Sequence, residues 1–332
     1  MAQIDRALRS NIKLRHLQLV VALDEFRHLG RTAEFLSVTQ PAVSKMLGEV
    51  ESMLGFTLFE RSTRGSVPTA AGRSFVRFAR SVLAGYERTR DEIVAEESGM
   101  GGRTRVGSMA VTLPTLLAQA VDLLKQRASQ ATVLVEEGDL THLLPKLRLG
   151  ELDLFVGRLE PGYAAPDLVT EALCREEMRV VVRPGHPLAA RRTVAWKDLA
   201  DLPCVVPPPW ASLRVKLEQQ FHRHGLQPPH DLVETASFLA QVTFVQQRGA
   251  AAFMAEAVAR HFEAAGLVQV VPLDVPVELP AAGLITMRDR PLTPVTQQLI
   301  DCLRIAAAGH EGPSPASRAA SPRSPSGRAR RH

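Results

Sequence analysis

Between Leu14 and Leu29 the apolar residues Leu14, Leu17, Val20, Val21 and Leu23 return every three or four positions, the spacing of one buried helical face. Gly30 is placed to stop that helix. A short helix over residues 31–36 would bury Ala33 and Leu36, and the turn Ser37-Val38-Thr39 leads into a third helix. Thr39 suits its N-cap, and Pro41 falls in the first turn, where a missing N–H costs nothing. In the third helix Val43, Met46, Leu47, Val50 and Leu54 share one side, while Gln40, Pro41, Ser44, Lys45 and Gly48 share the other. From Ala70 to about Glu97 there is no proline, and Phe75, Ala79, Val82, Tyr86, Thr89 and Ile93 alternate four- and three-residue steps. That is a heptad seam able to pair with a second copy, on a helix roughly 40 Å long.

Beyond a glycine-rich hinge at 98–102 the pattern changes. Strand-like runs at 104–107, 132–136 and 152–156 alternate with helical stretches at 113–127 and 140–149, an order that predicts a parallel sheet with helices packed on it. A second set runs through a strand at 178–183, a helix at 213–224, and strands at 250–254 and 268–271. A strand at 283–287 and a helix at 294–307 return to the first lobe. The predicted architecture is α+β and multidomain, in five parts. They are a winged helix-turn-helix over 1–69, a linker and dimerisation helix over 70–97, the hinge, a two-lobed α/β body over 103–308, and a tail over 309–332. The first lobe takes about 103–175 and 275–308, the second about 176–274. The tail is a Pro, Ser and Arg mixture too poor in apolar groups to offset its ordering entropy, and is expected to be disordered.

Charge changes the picture. Residues 1–80 hold 12 basic and 7 acidic groups, whereas residues 81–308 hold 23 and 27. A basic head on a mildly acidic body is the asymmetry expected when one end meets a polyanion. On the exposed side of the third helix an amide, a hydroxyl and an ammonium (Gln40, Ser44, Lys45) can reach base edges and phosphates in a major groove. Most such polar faces are merely solvated. Just beyond, residues 58–69 form two extended pieces around a turn carrying Arg61, Arg64 and Gly65, like the wing of a winged helix, with both arginines placed for a phosphate backbone or minor groove.

The run Arg31-Thr-Ala-Glu-Phe-Leu-Ser-Val-Thr-Gln-Pro-Ala-Val-Ser-Lys45, then Glu49-Val-Glu-Ser-Met-Leu-Gly-Phe-Thr-Leu-Phe-Glu-Arg61, then Thr69-Ala-Ala-Gly72, resembles the DNA-binding domain of LysR-type transcriptional regulators. The resemblance implies that Gln40, Pro41, Ser44 and Lys45 contact bases, that Thr39 meets a phosphate, that Arg64 enters the minor groove, and that Arg31 and Thr32 belong to the same surface. The body is similar to the type 2 periplasmic-binding-protein fold that family members use to sense small molecules, on the phrases Leu147-Arg-Leu-Gly-Glu-Leu-Asp-Leu-Phe-Val-Gly-Arg-Leu159 and Val182-Arg-Pro-Gly-His-Pro-Leu188. With Ile12-Lys-Leu-Arg-His-Leu17, the phrase Val156-Gly-Arg-Leu159 most resembles the branch holding the regulators of protocatechuate catabolism and of a bacterial galactose-binding protein. The family implies double-stranded DNA, RNA polymerase, a small organic acid effector (aromatic and sugar acids being the candidates) and a homodimer, extended to a homotetramer, as partners.

In open α/β sheets ligands bind beyond the carboxyl ends of strands, where loop-to-helix turns offer N–H groups to anions. The first such turn is Ser108-Met-Ala-Val-Thr112, which makes Ser108, Val111 and Thr112 candidates; the second is Pro207-Pro-Pro-Trp-Ala-Ser-Leu213, with Trp210 and Ser212. Trp210 could line an apolar wall, Arg158 could supply a positive charge in the cleft, and Phe253 belongs to the same candidate effector set. Each has a plainer explanation as a helix cap, a paired surface arginine or a core aromatic.

Several classes are excluded. No apolar run nears the roughly 18 residues that cross a bilayer, and the N-terminus has no signal core, so a cytoplasmic protein without a membrane partner is expected. Cys174, Cys204 and Cys302 are odd in number with no C-x-x-C pair, which suits reduced structural thiols. There is no G-x-S-x-G, no H-E-x-x-H, no G-x-G-x-x-G after a strand and no metal-spaced cluster, so neither an enzyme, a metal nor a cofactor is expected. The alternative to a ligand-responsive regulator is an architectural DNA-binding protein whose body ignores ligands.

Overall fold

The computed structural model describes residues 2–62, 65–98, 101–160, 162, 164–209 and 211–310. Arg64, Trp210, Gly99 and Met100 of the hinge, and the predicted tail from residue 311 lie outside the described residues. The chain divides into two compact units. One holds Met1–Gly107, Ala128–Phe155 and Asp289–Thr296, and the other Ser108–Arg127, Val156–Arg288 and the residues from Gln297 on.

The first unit opens with α1 (Ala2–Arg6), α2 (Leu14–Phe26), α3 (Leu29–Phe35) and α4 (Gln40–Leu54), then the hairpin β1 (Phe59–Ser62) and β2 (Gly65–Pro68), then the 29-residue α5 (Ala70–Ser98). Their core joins Leu17, Leu19, Val20 and Leu23 of α2 to Val43, Leu47, Val50 and Leu54 of α4 and to Phe75, Val76 and Ala79 of α5. Leu14, on the predicted buried face, is exposed, while Leu19 is fully buried because α2 is packed on more than one side. Nor does Gly30 end α2. The helix stops at Arg27, a non-glycine in the left-handed region (φ 51°), and Gly30 lies inside the first turn of α3. Arg27 is held there by its ion pair with Asp24 at 2.7 Å and by its carbonyl, which accepts the Ser66 N–H of the wing at 2.8 Å. A side chain at residue 65 would put Cβ 2.5 Å from that carbonyl, which is why the wing carries Gly65.

Helix α5 changes character along its length. The first two positions of the predicted seam, Phe75 and Ala79, belong to the core of its own domain. Phe78, next to Ala79, is already partly exposed, and farther along Tyr86 and Ile93 are about half exposed. On its other side α5 is held by charge. Arg80 reaches Asp24 and Glu25 of α2 and Glu151, at 3.4, 3.4 and 3.2 Å; Arg88 reaches Asp153 at 3.4 Å; and Asp91 takes Arg105 at 2.9 Å.

The remaining strands form two five-stranded sheets. One has the order β4 (Thr132–Glu137), β3 (Arg103–Ser108), β5 (Leu154–Arg158), β12 (Ala282–Met287), β6 (Leu168–Cys174). The other has the order β11 (Gln269–Val275), β7 (Met178–Val182), β10 (Ala251–Ala255), β8 (Cys204–Val206), β9 (Leu232–Glu234). In the first sheet β12 runs antiparallel to β6; in the second β7 is antiparallel to both β10 and β11, while β8 is parallel to β9 and β10. In the second sheet Val180, Val182, Ala251 and Phe253 face one core and Val181, Ala252 and Met254 the other. Burial on both faces is why these strands read as unbroken apolar runs. The helices of the body are α6 (Ala118–Arg127), α7 (Leu140–Leu149), α8 (Ser212–Arg223), α9 (Phe238–Arg248), α10 (Glu256–Ala264) and α11 (Pro294–His310). Among the described residues no helix is long and apolar enough to cross a membrane.

Two helical glycines differ in what surrounds them. A Cβ at Gly72 would lie 2.0 Å from the Leu58 carbonyl oxygen, whereas at the exposed Gly48 it would meet nothing within 4 Å. In thermal unfolding without DNA, Gly72→Ala is expected to destabilise by about 1–3 kcal/mol or more, and Gly48→Ala to stabilise by about 0.5–1 kcal/mol. Arg80→Ala leaves three carboxylates without their shared cation and is expected to lower stability by ~1–2 kcal/mol. Unfolding in dilute buffer and in molar salt checks this, because screening should erase most of the loss.

Candidate nucleic-acid interface and effector site

At the start of α4, Thr39 is in extended conformation and its Oγ1 accepts the Ala42 N–H at 3.4 Å. The hydroxyl hydrogen is still available to a phosphate, beside the positive dipole end of the first turn. Gln40, Pro41 and Lys45 are exposed, and Gly48 continues the same open side. The opposite side is closed: Val43, Leu47 and Val50 have no exposure at all. Ser44 is half-buried, and its Oγ accepts from Arg61 Nη1 at 3.0 Å, so the first strand of the wing is tied to the helix it flanks. Arg31 is exposed. Thr32 is not on this surface: it is fully buried and its hydroxyl donates to the His28 carbonyl at 2.9 Å.

Two supporting residues escaped sequence reasoning. Glu51 Oε1 accepts the N–H groups of Leu58 and Phe59 at 2.7 and 3.1 Å, fixing where the wing departs. His28 caps α3, its Nδ1 accepting from Gly30 and Arg31 at 3.1 and 3.4 Å. Both look like ordinary polar residues in the sequence, since their partners are set by the fold.

In the body, Ser108, Val111, Thr112 and Arg158 are brought together. The Met109 N–H donates to the Val156 carbonyl at 3.0 Å, and the Arg158 N–H meets Met109 Sδ at 3.4 Å. Ser108 and Thr112 are buried with their hydroxyls 3.0 Å apart, and Thr112 Oγ1 lies 3.1 Å from the Val156 carbonyl. One proton per hydroxyl is satisfied by Ser108 donating to Thr112 and Thr112 to Val156. Val111 packs among Val181, Val205 and Ala252. Arg158 pairs with Glu176, its Nε and Nη2 both 3.1 Å from Oε2, with side chains 13% and 6% exposed. Phe253 stands apart. Strand alternation turns it to the other face of the sheet, stacked on Trp196 at 6.1 Å and edge-on to Phe221 at 6.4 Å. Ser212 opens α8, with Ala211 in the cap position.

Nothing points to redox or metal chemistry among the described residues. Burial pushes the Cys204 thiol up to about 12, which disfavours the reactive thiolate, and no group of three or more His, Cys, Asp or Glu could hold a metal ion.

With that geometry in view, residues 14–73 match the family described as bacterial regulatory helix-turn-helix protein, lysR family, and residues 97–308 match the LysR substrate binding domain. The chain belongs to the LysR family of transcriptional regulators. It is 33% identical over 303 residues to the HTH-type transcriptional regulator GbpR of Azospirillum brasilense, covering 90% of this chain and 88% of that one. It is 29% identical to PcaQ of Agrobacterium fabrum, covering 89% and 95%. Both agree with the branch suggested by Val156-Gly-Arg-Leu159. The crystal structure of full-length CbnR complexed with its target DNA has the same fold, with a TM-score of 0.67 at 19% identity, covering 89% of this chain and all of that one. As a LysR protein, the chain pairs a helix-turn-helix head with a substrate-binding body of two sheets.

The head also carries a pH liability. His16 is buried in α2, its Nδ1 accepts the Lys13 N–H at 3.1 Å, and burial together with Arg15 lowers its pKa. The neutral ring is favoured by folding, so this contribution is complete above the unfolded value near 6.5 and is lost as pH falls below it. Stability at pH 5 is expected to fall below that at pH 7.5, and His16→Gln, which keeps an acceptor but does not titrate, should flatten that part of the profile in denaturant titrations.

Proposed function

We propose that this protein is a ligand-responsive regulator that binds a partly palindromic site near a promoter and senses a small organic acid. The observation that carries the DNA half is the open N-terminal side of α4, where Gln40, Pro41 and Lys45 project while the other side is wholly in the core. In this reading α4 enters a major groove, Thr39 and Arg31 meet phosphates, Ser44 shares its hydroxyl between Arg61 and a base, and Arg64 follows the minor groove. Phe78, Tyr86 and Ile93 of α5 form the seam of a homodimer, which sets two recognition helices on two half-sites, and dimers pair into a tetramer. The head takes 1–69, the linker helix 70–97 and the sensing body 103–308. Effector binding near the Ser108–Thr112 turn changes the arrangement of the body and hence DNA bending and polymerase recruitment. By linkage DNA must change effector affinity by the same factor.

A footprint on the DNA upstream of the protein's own gene, at stated salt, with and without aromatic and sugar acids, tests this. Protection of two or more helical turns that shortens or shifts with one acid is the expected result. Protection that no acid alters would favour the architectural reading, and none beyond that on unrelated DNA would sink specific recognition. Lys45→Ala is expected to weaken operator binding by about 1–3 kcal/mol and relax preference at one base position, whereas Arg64→Ala should weaken binding to all sequences alike and reduce the salt slope by about 1. Competition titrations against operator variants separate the two.

A further inference from the structure

Arg158 ends β5 beside the Ser108–Thr112 turn, and its main-chain N–H meets the Met109 thioether, a weak acceptor. Its guanidinium is largely buried and is neutralised by Glu176, 18 residues on. The pair is not the side-on fork in which two N–H groups meet two oxygens: Nε and Nη2 converge on the single oxygen Oε2. A carboxylate free to choose its orientation could make both parallel bonds, which a tethered glutamate at this position does not.

Glu176 also stands where movement would be transmitted. It lies in the three-residue connection 175–177 between β6 of one sheet and β7 of the other. The next residue is anchored to the second sheet's side, since the Glu177 carbonyl accepts the Glu256 N–H at 2.8 Å as α10 begins. Arg179 bridges the carboxylates of Glu177 and Glu256 at 2.8 and 2.9 Å. The connection thus carries an ionic tie to Arg158 through Glu176 and another to β7 and α10 through Glu177.

We infer that Glu176 is a built-in stand-in for an effector carboxylate on Arg158, so that an acid binds by taking its place on the guanidinium. The inference rests on the acid-sensing reading above and deepens it: Glu176 sets the threshold for anions and excludes neutral analogues. A ligand without a negative charge cannot compensate the buried guanidinium that Glu176 would leave. An anion can, and loses only the difference between two similar pairs.

The test uses the full chain and four compounds at constant ionic strength: acetate, benzoate, gluconate and the neutral benzamide. Thermal unfolding is followed against ligand concentration for the parent, Glu176→Gln, and the double variant Arg158→Gln/Glu176→Gln. Removing the internal competitor should lower the concentration at which the acids stabilise the protein by about tenfold or more. Benzamide should have no such effect, and the double variant should lose the gain. If Glu176→Gln responds to every acid as the parent does, or if the double variant keeps the gain, the exchange is wrong. Should Glu176→Gln fail to fold, Glu176→Asp carries the same test, because the shortened side chain keeps the charge but withdraws it from Arg158; a smaller gain for acids alone is expected, and none would overturn the proposal. The two readings fail separately. A parent whose footprint ignores all acids refutes acid sensing, while the variant comparison still decides whether Glu176 competes for Arg158.

Discussion

A single straight helix can serve two parts of a protein only if its buried face changes chemistry along its length, and α5 does this. Its first turns give Phe75, Val76 and Ala79 to the core that also holds the recognition helix, so the head cannot form without it. The turns that follow offer Arg80 and Arg88 to carboxylates of α2 and of the α7–β5 connection, and Asp91 to Arg105 of β3. Apolar contact is non-directional and tolerates no water, whereas these ion pairs are partly solvated and respond to salt. The junction is therefore firm at the head and adjustable beyond it, and the exposed aromatic and aliphatic residues between them are what a second copy could cover.

The recognition surface follows the same division of labour. Burial of Val43, Leu47 and Val50 fixes the rotation of α4 about its axis, and this alone turns Gln40 and Lys45 outward. The wing needs directional bonds instead. Glu51 sets its departure, the Arg27 carbonyl its far strand, and Arg61 reaches back to Ser44. Each is a directional polar contact rather than core packing, so small changes here would misplace the wing without unfolding the core.

In the body, the turn predicted to receive a ligand spends its hydroxyls on itself and on Val156. What it leaves is a cation with an internal partner. A cation neutralised in this way needs no ligand to complete it, so in the proposed exchange binding must displace Glu176.

Much of this was legible in the sequence because it depends on local rules. A period of 3.6 residues, an N-cap threonine and a proline in the first turn suffice to define α4, its buried side and its open side, and α5 follows from the same period with no proline to interrupt it. The family run then supplies meaning for residues whose faces periodicity had already assigned. What only tertiary structure decided concerns partners distant along the chain. Thr32 turns inward because α3 packs against α2 and α4, α2 stops at Arg27, whose carbonyl takes the wing's Ser66 N–H, and Phe253 joins Trp196 because the register of β10 sends it to the opposite face from Ala252. Arg158 could be read as a cation near a turn, but its neutralisation by Glu176 is a contact between strand ends that no spacing rule encodes. Periodicity reports which side of an element is buried; only the packed fold determines what that side, or a charge at its end, is buried against.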